Sequence, residues 1–295
     1  IALKEKEQLI GGEKTSIALQ SADKAARASI YKAGESRAAI IKKATEKEFS
    51  AKGIIAGEIK IGLSKKEIAQ LAQRNDVLKI GTREIPIAVA KKAWASTTVS
   101  ATMRIANIRG LKVFATGGIG GVHGGDWDVS QDILELSQTR MIVVSAGPKS
   151  ILDLKATFEF LESFQVTVVA FKTDEMPAFY LKKSGIRITP VNSVQEVVEI
   201  YKEKERLNLP GAVLVFNPLP EKWAIDNDEY QLWYNEALKE LKNKRISGKD
   251  VTPFLLSKLA ALSSGKTLEA NIKLLENNVI LACQIAKECC EQKLV

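Results

Sequence analysis

The side chains that most often bind zinc are scarce in this chain. Its 295 residues include one histidine, His123, and three cysteines, which are Cys283, Cys289 and Cys290. The cysteines crowd near the end of the chain in no Cys-x-x-Cys spacing and lie far from the histidine. This pattern argues against a zinc cage and against a disulfide framework, and it favours a reducing, cytoplasmic setting.

Long apolar runs and aromatic stripes are also lacking. The sequence has no apolar run of the roughly 18 residues that a membrane-spanning helix needs, and its charged beginning is unlike a signal peptide. Aromatic residues make up 6% of the chain, and the lysines behind its net charge of +8 are scattered beside glutamates. Nucleic-acid binding favours a basic stripe with interleaved aromatics, so we expect no nucleic acid and no membrane as partner.

Short apolar strands alternate with helical patterns through the middle of the chain. The strands are predicted at 111–116, 141–145, 166–171 and 212–216, and the helices at 128–138, 149–163 and 193–207. Because these strands are continuous apolar runs, they are typical of a parallel sheet covered on both faces. The predicted fold class is therefore α/β, with a mostly parallel central sheet flanked by helices on both faces (α/β/α).

The ends of the chain are predicted to be helical. A helix is predicted at 18–48, and Ser64 is predicted to start another, with Glu67 forming a capping box. Thr252, which precedes a proline, is predicted as the N-cap of a C-terminal helical region. Since no internal repeat and no flexible linker interrupts the pattern, the sequence predicts a single domain over 1–295.

The most unusual segment is the glycine-rich stretch TGGIGGVHGGDWD at 116–128. Six of the nineteen glycines fall between 117 and 125. Glycines this dense let the backbone approach a ligand and point N–H groups at an anion such as phosphate. The alternative is a set of tight turns after a strand. The stretch matches neither the dinucleotide-binding nor the P-loop glycine pattern.

Titratable side chains lie inside and just after this stretch. His123 within it has either a functional or a structural role. Asp128 and Asp132 are four residues apart and would share one face of a helix. They are read either as an oxygen-rich site for Mn²⁺ or Mg²⁺ or as partners of the positive helix end.

Lys149, in the segment SAGPKSILD at 145–153, follows an apolar strand. It is predicted to open a helix at the carboxyl end of that strand, where the helix dipole and partial burial would activate its amine as a nucleophile. The alternative is a surface lysine. Thr98, in STTVSATM at 96–103, either donates to a phosphate or caps a helix.

Taken together, these segments resemble a known family. In chain order they are KIGTREIPIAVA, STTVSATM, VFATGGIGGVHGG, DVSQDILELS, SAGPKSILD, FKTDEMPAFYLKKSG, FNPLP, GKDVTPFLL and LEANIKLLENNVILACQIAKE. They resemble the pseudouridine-5′-phosphate glycosidase family, also called indigoidine-synthase-A-like, over about residues 53–292. The resemblance implies a homotrimer with one Mn²⁺ per subunit. It also implies that the substrate is a small phosphorylated C-nucleoside, pseudouridine 5′-phosphate, which is split reversibly into uracil and ribose 5-phosphate.

The resemblance also implies roles for individual residues. Lys149 would be the covalent nucleophile that forms an imine with the ring-opened sugar, Asp128 the metal ligand and Glu13 the proton donor. A C-glycosidic bond has no leaving oxygen for an acid to protonate, so an imine is a suitable electron sink for its cleavage. Two further catalytic positions fall on His123 and Asn271, and the substrate contacts fall on Lys79, Thr98, Val99, Ser130, Gln131 and Asp132.

The N-terminal part departs from the family's pattern. The family's glutamate lies in a motif E-[ST]-T-x-x-x-H-G-[ML]-P, and the best match here is GGEKTSIALQSA at 11–22, in which Lys14 replaces Ser or Thr. A second register would place Lys4 at the position of the acid. Two alternatives therefore stand beside the active glycosidase. One is a catalytically impaired homologue that binds a phosphosugar or pseudouridine phosphate without turnover, and the other is a lysine-imine enzyme that acts on another phosphosugar.

Overall fold

The computed structural model describes most of the chain beyond its N-terminal region. The backbone is described at 17–19 and 49–51, and backbone and side chains are described at 52–124, 128–181, 183–246, 248 and 251–294. The predicted proton donor Glu13 and nearly all of the helix predicted at 18–48 lie outside the described residues. Residues 17–19 form a strand, so that helix prediction is wrong at its start.

The described residues form one mixed sheet. Its strands are β1 (Ile17–Leu19), β2 (Phe49–Ile55), β3 (Glu58–Ile61), β4 (Leu78–Ile80), β5 (Ala95–Thr97), β6 (Val113–Ala115), β7 (Ile142–Ser145), β8 (Thr167–Phe171), β9 (Pro190–Val191) and β10 (Val213–Phe216). Their order is β4-β5-β2-β1-β6-β7-β10-β8-β9, with β3 paired to β2. The β2–β3 and β2–β5 pairs are antiparallel and the other described pairs are parallel.

Helices cover this sheet on both faces. They are α1 (Lys65–Gln73), α2 (Ile85–Ala90), α3 (Val99–Ile108), α4 (Gln131–Gln138), α5 (Leu154–Ser163), α6 (Val194–Arg206), α7 (Asn227–Asn243), α8 (Val251–Leu262) and α9 (Lys266–Glu291). One apolar cluster joins α6 and α9 to the sheet, and another joins α3, α4 and α5 to its opposite face. The predicted α/β/α fold is confirmed.

Strand alternation explains how both clusters form. In β10, Val213 and Val215 pack toward α9, whereas Leu214 and Phe216 pack toward the helices on the other face. All four side chains are completely buried. A strand buried on both faces shows a continuous apolar run, which is the pattern that predicted a parallel sheet.

Local signals in the sequence also set the start of α1. The amide N–H of Glu67 donates to Ser64 Oγ at 3.2 Å, and the amide N–H of Ser64 donates to the Glu67 carboxylate at 2.7 Å. This is the reciprocal pair of a capping box, so that prediction is confirmed.

Among the described residues, no helix is both long enough and apolar enough to span a membrane.

A charged side chain is buried among the strands of the sheet. Lys52 of β2 is completely buried, and burial lowers the pKa of its amine from 10.5 to about 7. In the unfolded chain the amine is exposed and keeps its ordinary pKa. Unfolding therefore takes up a proton between pH 7 and 10.5, and Lys52 destabilises the fold at neutral pH by an amount that shrinks as pH rises through this window.

We expect Lys52→Met to raise the free energy of unfolding at pH 7 by about 3 to 4 kcal/mol, since each pKa unit corresponds to about 1.4 kcal/mol. The gain over wild type should fall below about 1 kcal/mol near pH 10. Urea unfolding of both proteins at several pH values measures the difference, with Lys239→Met at an exposed position of α7 as the control. A gain that does not depend on pH would contradict the assignment.

Candidate functional site

The segments that follow β6 and β7 run side by side at the carboxyl edge of the sheet. The amide of Thr116 donates to the Val144 carbonyl at 2.9 Å, and the amide of Ala146 donates to the Gly117 carbonyl at 2.9 Å. One step further, the amide of Lys149 donates to the Ile119 carbonyl at 3.1 Å. The glycine-rich stretch and the Lys149 segment therefore form one surface, at the edge where α/β proteins bind their ligands.

Close packing accounts for much of the glycine-rich stretch. A Cβ atom at Gly118 would lie 2.6 Å from the Phe179 ring, and one at Gly120 would lie 2.3 Å from Ser130 Oγ. Several amides of this stretch also donate to protein acceptors, such as that of Ile119 to the Gly147 carbonyl at 3.1 Å. Of the two readings of the glycines, tight packing is the one that these contacts support.

Lys149 lies on a turn before a helix. The turn is closed by the amide of Leu152, which donates to the Lys149 carbonyl at 3.0 Å. Helix α5 begins later, because the side chain of Asp153 accepts the amide N–H of Ala156 at 2.9 Å as its N-cap. The prediction that Lys149 opens this helix is therefore wrong. Its side chain is half-buried and its charge reaches the imidazole of His123.

His123 is held between the loop that follows the glycines and a C-terminal helix. Its amide donates to the Asp128 carbonyl at 3.0 Å, and its Nε2 lies 3.3 Å from Thr252 Oγ1. Thr252 is in the first turn of α8, which begins at Val251, so the prediction of Thr252 as an N-cap is wrong. The hydroxyl instead contacts the imidazole.

Charged side chains predicted for the site lie near enough to this imidazole for their charges to influence its pKa. Burial of the ring lowers the pKa of His123, and the positive charges of Lys149 and Lys79 lower it further, whereas the negative charge of Asp128 raises it. Lys79 comes from β4, Asp128 from the loop before α4, and Lys149 from the turn after β7. The net effect keeps the imidazole neutral at neutral pH.

The two aspartates do not share a helix face, which corrects that prediction. Helix α4 begins at Gln131, so Asp128 lies in the preceding loop, where it is exposed. Asp132 is 3% exposed, and its two carboxylate oxygens accept the amides of Ser100 and Gly120 at 2.9 and 2.8 Å. Asp132 therefore joins the start of α3 to the glycine-rich stretch and to the first turn of α4.

The neighbours of Asp132 also bind protein groups. Ser130 is the N-cap of α4, and its Oγ accepts the amide N–H of Asp132 at 3.2 Å. The Gln131 side chain accepts the amide N–H of Arg83 at 3.0 Å and donates to Glu84 at 3.1 Å. In this structure the side chains predicted to contact substrate fix the loops around the site.

The remaining predicted substrate contacts lie where β4, β5 and α3 meet. The amide of Thr98 donates to the Ile80 carbonyl at 2.9 Å, and its hydroxyl pairs with that of Ser100 at 2.9 Å. Val99 is completely buried in the core beneath α3, so its side chain is not at a surface. Lys79 is half-buried one residue before the end of β4.

Helix α9 covers the glycine-rich stretch from above. The Asn271 side-chain oxygen lies 3.3 Å from the point where a Cβ atom of Gly117 would stand. Two turns later, the buried Asn278 donates to the Thr116 carbonyl at 2.8 Å and accepts from Asn217 at 3.2 Å. Sequence reasoning missed Asn278, although a polar residue within the apolar pattern of α9 signals a buried hydrogen bond.

A metal site would have few protein ligands here. Among the described residues no three His, Cys, Asp or Glu side chains cluster in a way that could hold an ion. Both carboxylate oxygens of Asp132 already accept backbone amides. The carboxylate that is exposed and lies beside His123 is that of Asp128. One carboxylate is compatible with a hard divalent cation whose other ligands are water and substrate oxygens.

Fold and site together define an α/β/α protein with a lysine-centred polar site at the carboxyl edge of its sheet. Residues 25–288 match the family model described as Indigoidine synthase A like protein, and the chain belongs to this family. The resemblance drawn from the sequence is confirmed.

Relatives that are named as enzymes are closely similar in sequence to this chain. The pseudouridine-5′-phosphate glycosidase of Pseudothermotoga lettingae is 61% identical over 248 residues, which are 83% of this chain and 87% of the relative. That of Kosmotoga olearia is 57% identical over 236 residues, 79% of this chain and 82% of the relative.

Two solved structures share the fold. A Thermotoga maritima indigoidine synthase A-like protein is 38% identical with a TM-score of 0.83, and the match covers 98% of this chain and 99% of that one. The prealnumycin C-glycosynthase in complex with ribulose 5-phosphate is 31% identical with a TM-score of 0.82, and the match covers 94% of both chains.

The different surroundings of the two aspartates lead to a stability prediction. Asp132→Asn places an amide NH₂ against a backbone N–H, and we expect it to lower the free energy of unfolding by about 2 kcal/mol. Asp128→Asn changes an exposed carboxylate, and we expect it to leave stability within about 0.5 kcal/mol of wild type. Urea unfolding of both variants makes the comparison, and equal losses would show that the amide contacts of Asp132 do not stabilise the fold.

The single histidine permits a direct test of the electrostatics. In a tag-free protein, one imidazole NMR signal should titrate with a pKa below 6.5. Lys149→Met should raise this pKa, because it removes a positive charge, and Asp128→Asn should lower it, because it removes a negative one. Lys155→Met, on the exposed face of α5, is the control. An unchanged pKa in Lys149→Met would refute the proximity of the two groups.

Proposed function

We propose that this protein is a pseudouridine-5′-phosphate glycosidase, which reversibly cleaves its substrate into uracil and ribose 5-phosphate. The observation that carries the proposal is the position of Lys149 against the glycine-rich stretch at the carboxyl edge of the sheet, where its amide donates to the Ile119 carbonyl at 3.1 Å. The glycosidase relatives support this substrate, and the ribulose 5-phosphate bound by the C-glycosynthase supports a sugar phosphate as ligand.

The site has the charge that a phosphorylated substrate requires. Lys79 and Lys149 offer positive charge, and the start of α3 adds the positive end of a helix dipole. The N-cap residue Thr98, whose hydroxyl pairs with that of Ser100, lies at this helix start, where we propose that it contacts a phosphate oxygen. Binding energy from the phosphate would then hold the sugar carbon C1′ against the Lys149 amine.

The chemistry proposed for Lys149 is imine formation. Its amine attacks C1′, the bond from C1′ to the ring oxygen breaks, and the oxygen takes a proton to become the C4′ hydroxyl. The bond between C1′ and C5 of uracil then breaks, its electron pair goes to C5, which takes a proton, and C1′ is left as an imine of Lys149. Water hydrolyses the imine to ribose 5-phosphate and restores the amine.

Neighbouring residues would support this sequence. A neutral His123, held through Nε2 by Thr252, can accept the proton that the Lys149 amine loses. Asn271 lies over the glycine-rich stretch, where its amide can orient the opened sugar. The assignment of Glu13 as the proton donor to the base rests on the family resemblance and lies outside the described residues.

Asp128 is the residue that we propose to hold Mn²⁺. Bound there with water and substrate oxygens, the ion would position and polarise the sugar or base. The family resemblance further leads us to propose a cytoplasmic homotrimer with one Mn²⁺ per subunit. A second candidate function, imine chemistry on a different phosphosugar, is favoured by the ribulose 5-phosphate in the C-glycosynthase structure.

The direct test measures uracil release from pseudouridine 5′-phosphate by chromatography, with Mn²⁺ and with EDTA. We expect release that requires the metal and falls by about a thousandfold or more in Lys149→Ala, because no other group replaces a covalent nucleophile. Lys155→Ala is the matched control on a nearby exposed lysine. Metal-dependent release that survives in Lys149→Ala would refute the imine mechanism.

Borohydride reduction in the presence of ribose 5-phosphate separates the two candidate functions. A covalent adduct on Lys149 without any uracil release would favour the second function, whereas release together with the adduct supports the first.

A further inference from the structure

The turn that carries Lys149 accepts a hydrogen bond from helix α7 in the C-terminal part of the chain. Tyr234 of α7 donates its hydroxyl to the Ile151 carbonyl at 3.0 Å, two residues beyond Lys149. The two ends of this bond are 83 residues apart in the chain. It is a contact from α7 to the lysine turn itself.

Tyr234 is itself fixed by a series of aromatic rings. Its ring stacks on that of Tyr230, with ring centroids 5.7 Å apart and ring planes at 13°. The ring of Tyr230 in turn contacts that of Tyr180, with centroids 6.3 Å apart. Tyr180 contacts Phe179, the ring that packs against Gly118. The series of rings therefore connects Ile151 in the lysine turn to Gly118 in the glycine-rich stretch. All of its members belong to one buried apolar cluster or pack on it.

Two buried hydroxyl groups, those of Ser150 and Tyr230, lie in the same region. The hydroxyls of Ser150 and Tyr230 are buried, and neither has a hydrogen-bond partner of good geometry among the described residues. Burial raises the pKa of Tyr230, and the proximity of Ser150 offsets part of this rise. The bond from Tyr234 to Ile151 is a polar link of good geometry between α7 and the turn.

We propose that Tyr234 is a positioning residue for Lys149, and that the Tyr234–Tyr230 pair of α7 sets the reactivity of the lysine amine by fixing its turn. This inference rests on the proposed imine function of Lys149. Tyr234 does not touch substrate; it acts through the backbone of Ile151, which is continuous with Lys149.

The variant Tyr234→Phe deletes one hydroxyl and keeps the stacked ring, so it tests the hydrogen bond alone. We expect the rate of cyanoborohydride-trapped imine formation with ribose 5-phosphate to fall by about tenfold, with the apparent KM changed less than about twofold. Tyr201→Phe is the matched control, since Tyr201 is also buried but belongs to a different apolar cluster from that of Tyr230 and Tyr234.

The NMR signal of His123 gives a second readout that needs no activity. If Tyr234→Phe loosens the lysine turn, the positive charge of Lys149 acts less on the imidazole and the pKa of His123 rises. In a Lys149→Met background, the same tyrosine substitution should cause no further change. A merely structural role would not give this dependence on Lys149.

These outcomes separate the inference from the proposed function. Absence of uracil release by the wild type would count against the glycosidase, while the His123 signal still decides the role of Tyr234. The inference is overturned if Tyr234→Phe matches wild type in the His123 pKa. It is equally overturned if the pKa shift persists unchanged in the Lys149→Met background.

Discussion

The site depends on one set of backbone hydrogen bonds, which joins the segments that follow β6 and β7. Through the bonds from Thr116 to Val144 and from Lys149 to Ile119, the parallel pairing continues past the ends of the strands. A continued ladder leaves little room above it, which is why glycines lie at 117, 118, 120 and 121 and why side chains of Phe179 and Ser130 fill the space beside them. The backbone of Lys149 is thereby hydrogen-bonded to the segment that follows the neighbouring strand.

The carboxylate of Asp132 extends this rigidity to the other half of the site. By accepting the amides of Ser100 and Gly120, it ties the start of α3 to the glycine-rich stretch. Lys79 and Thr98 lie next to that helix start, so their distance from Lys149 is set by a buried carboxylate. Asp128 is exposed in the loop before α4, so the two aspartates differ in environment although they are four residues apart.

The C-terminal helices complete the site. Thr252 of α8 contacts His123, Asn271 and Asn278 of α9 lie over the segment after β6, and Tyr234 of α7 holds the turn of Lys149. Each contact uses a polar group within a helix whose remaining inner face is apolar. Core packing and site geometry are therefore specified by the same three helices, and a change in their packing is transmitted to the lysine.

The sequence by itself determined the elements whose signals are local. Continuous apolar runs such as Val213–Phe216 marked strands buried on both faces, and Ser64 with Glu67 marked a helix start, because each pattern depends on residues adjacent in the chain. The ordered motifs around Lys149 and Asp128 were sufficient to indicate the family. Only the tertiary structure decided which groups meet, since Asp132 and Ser100 are 32 residues apart, Tyr234 and Ile151 are 83 apart, and His123 and Thr252 are 129 apart. Such contacts arise from the packing of whole helices on the sheet, and no local pattern encodes them.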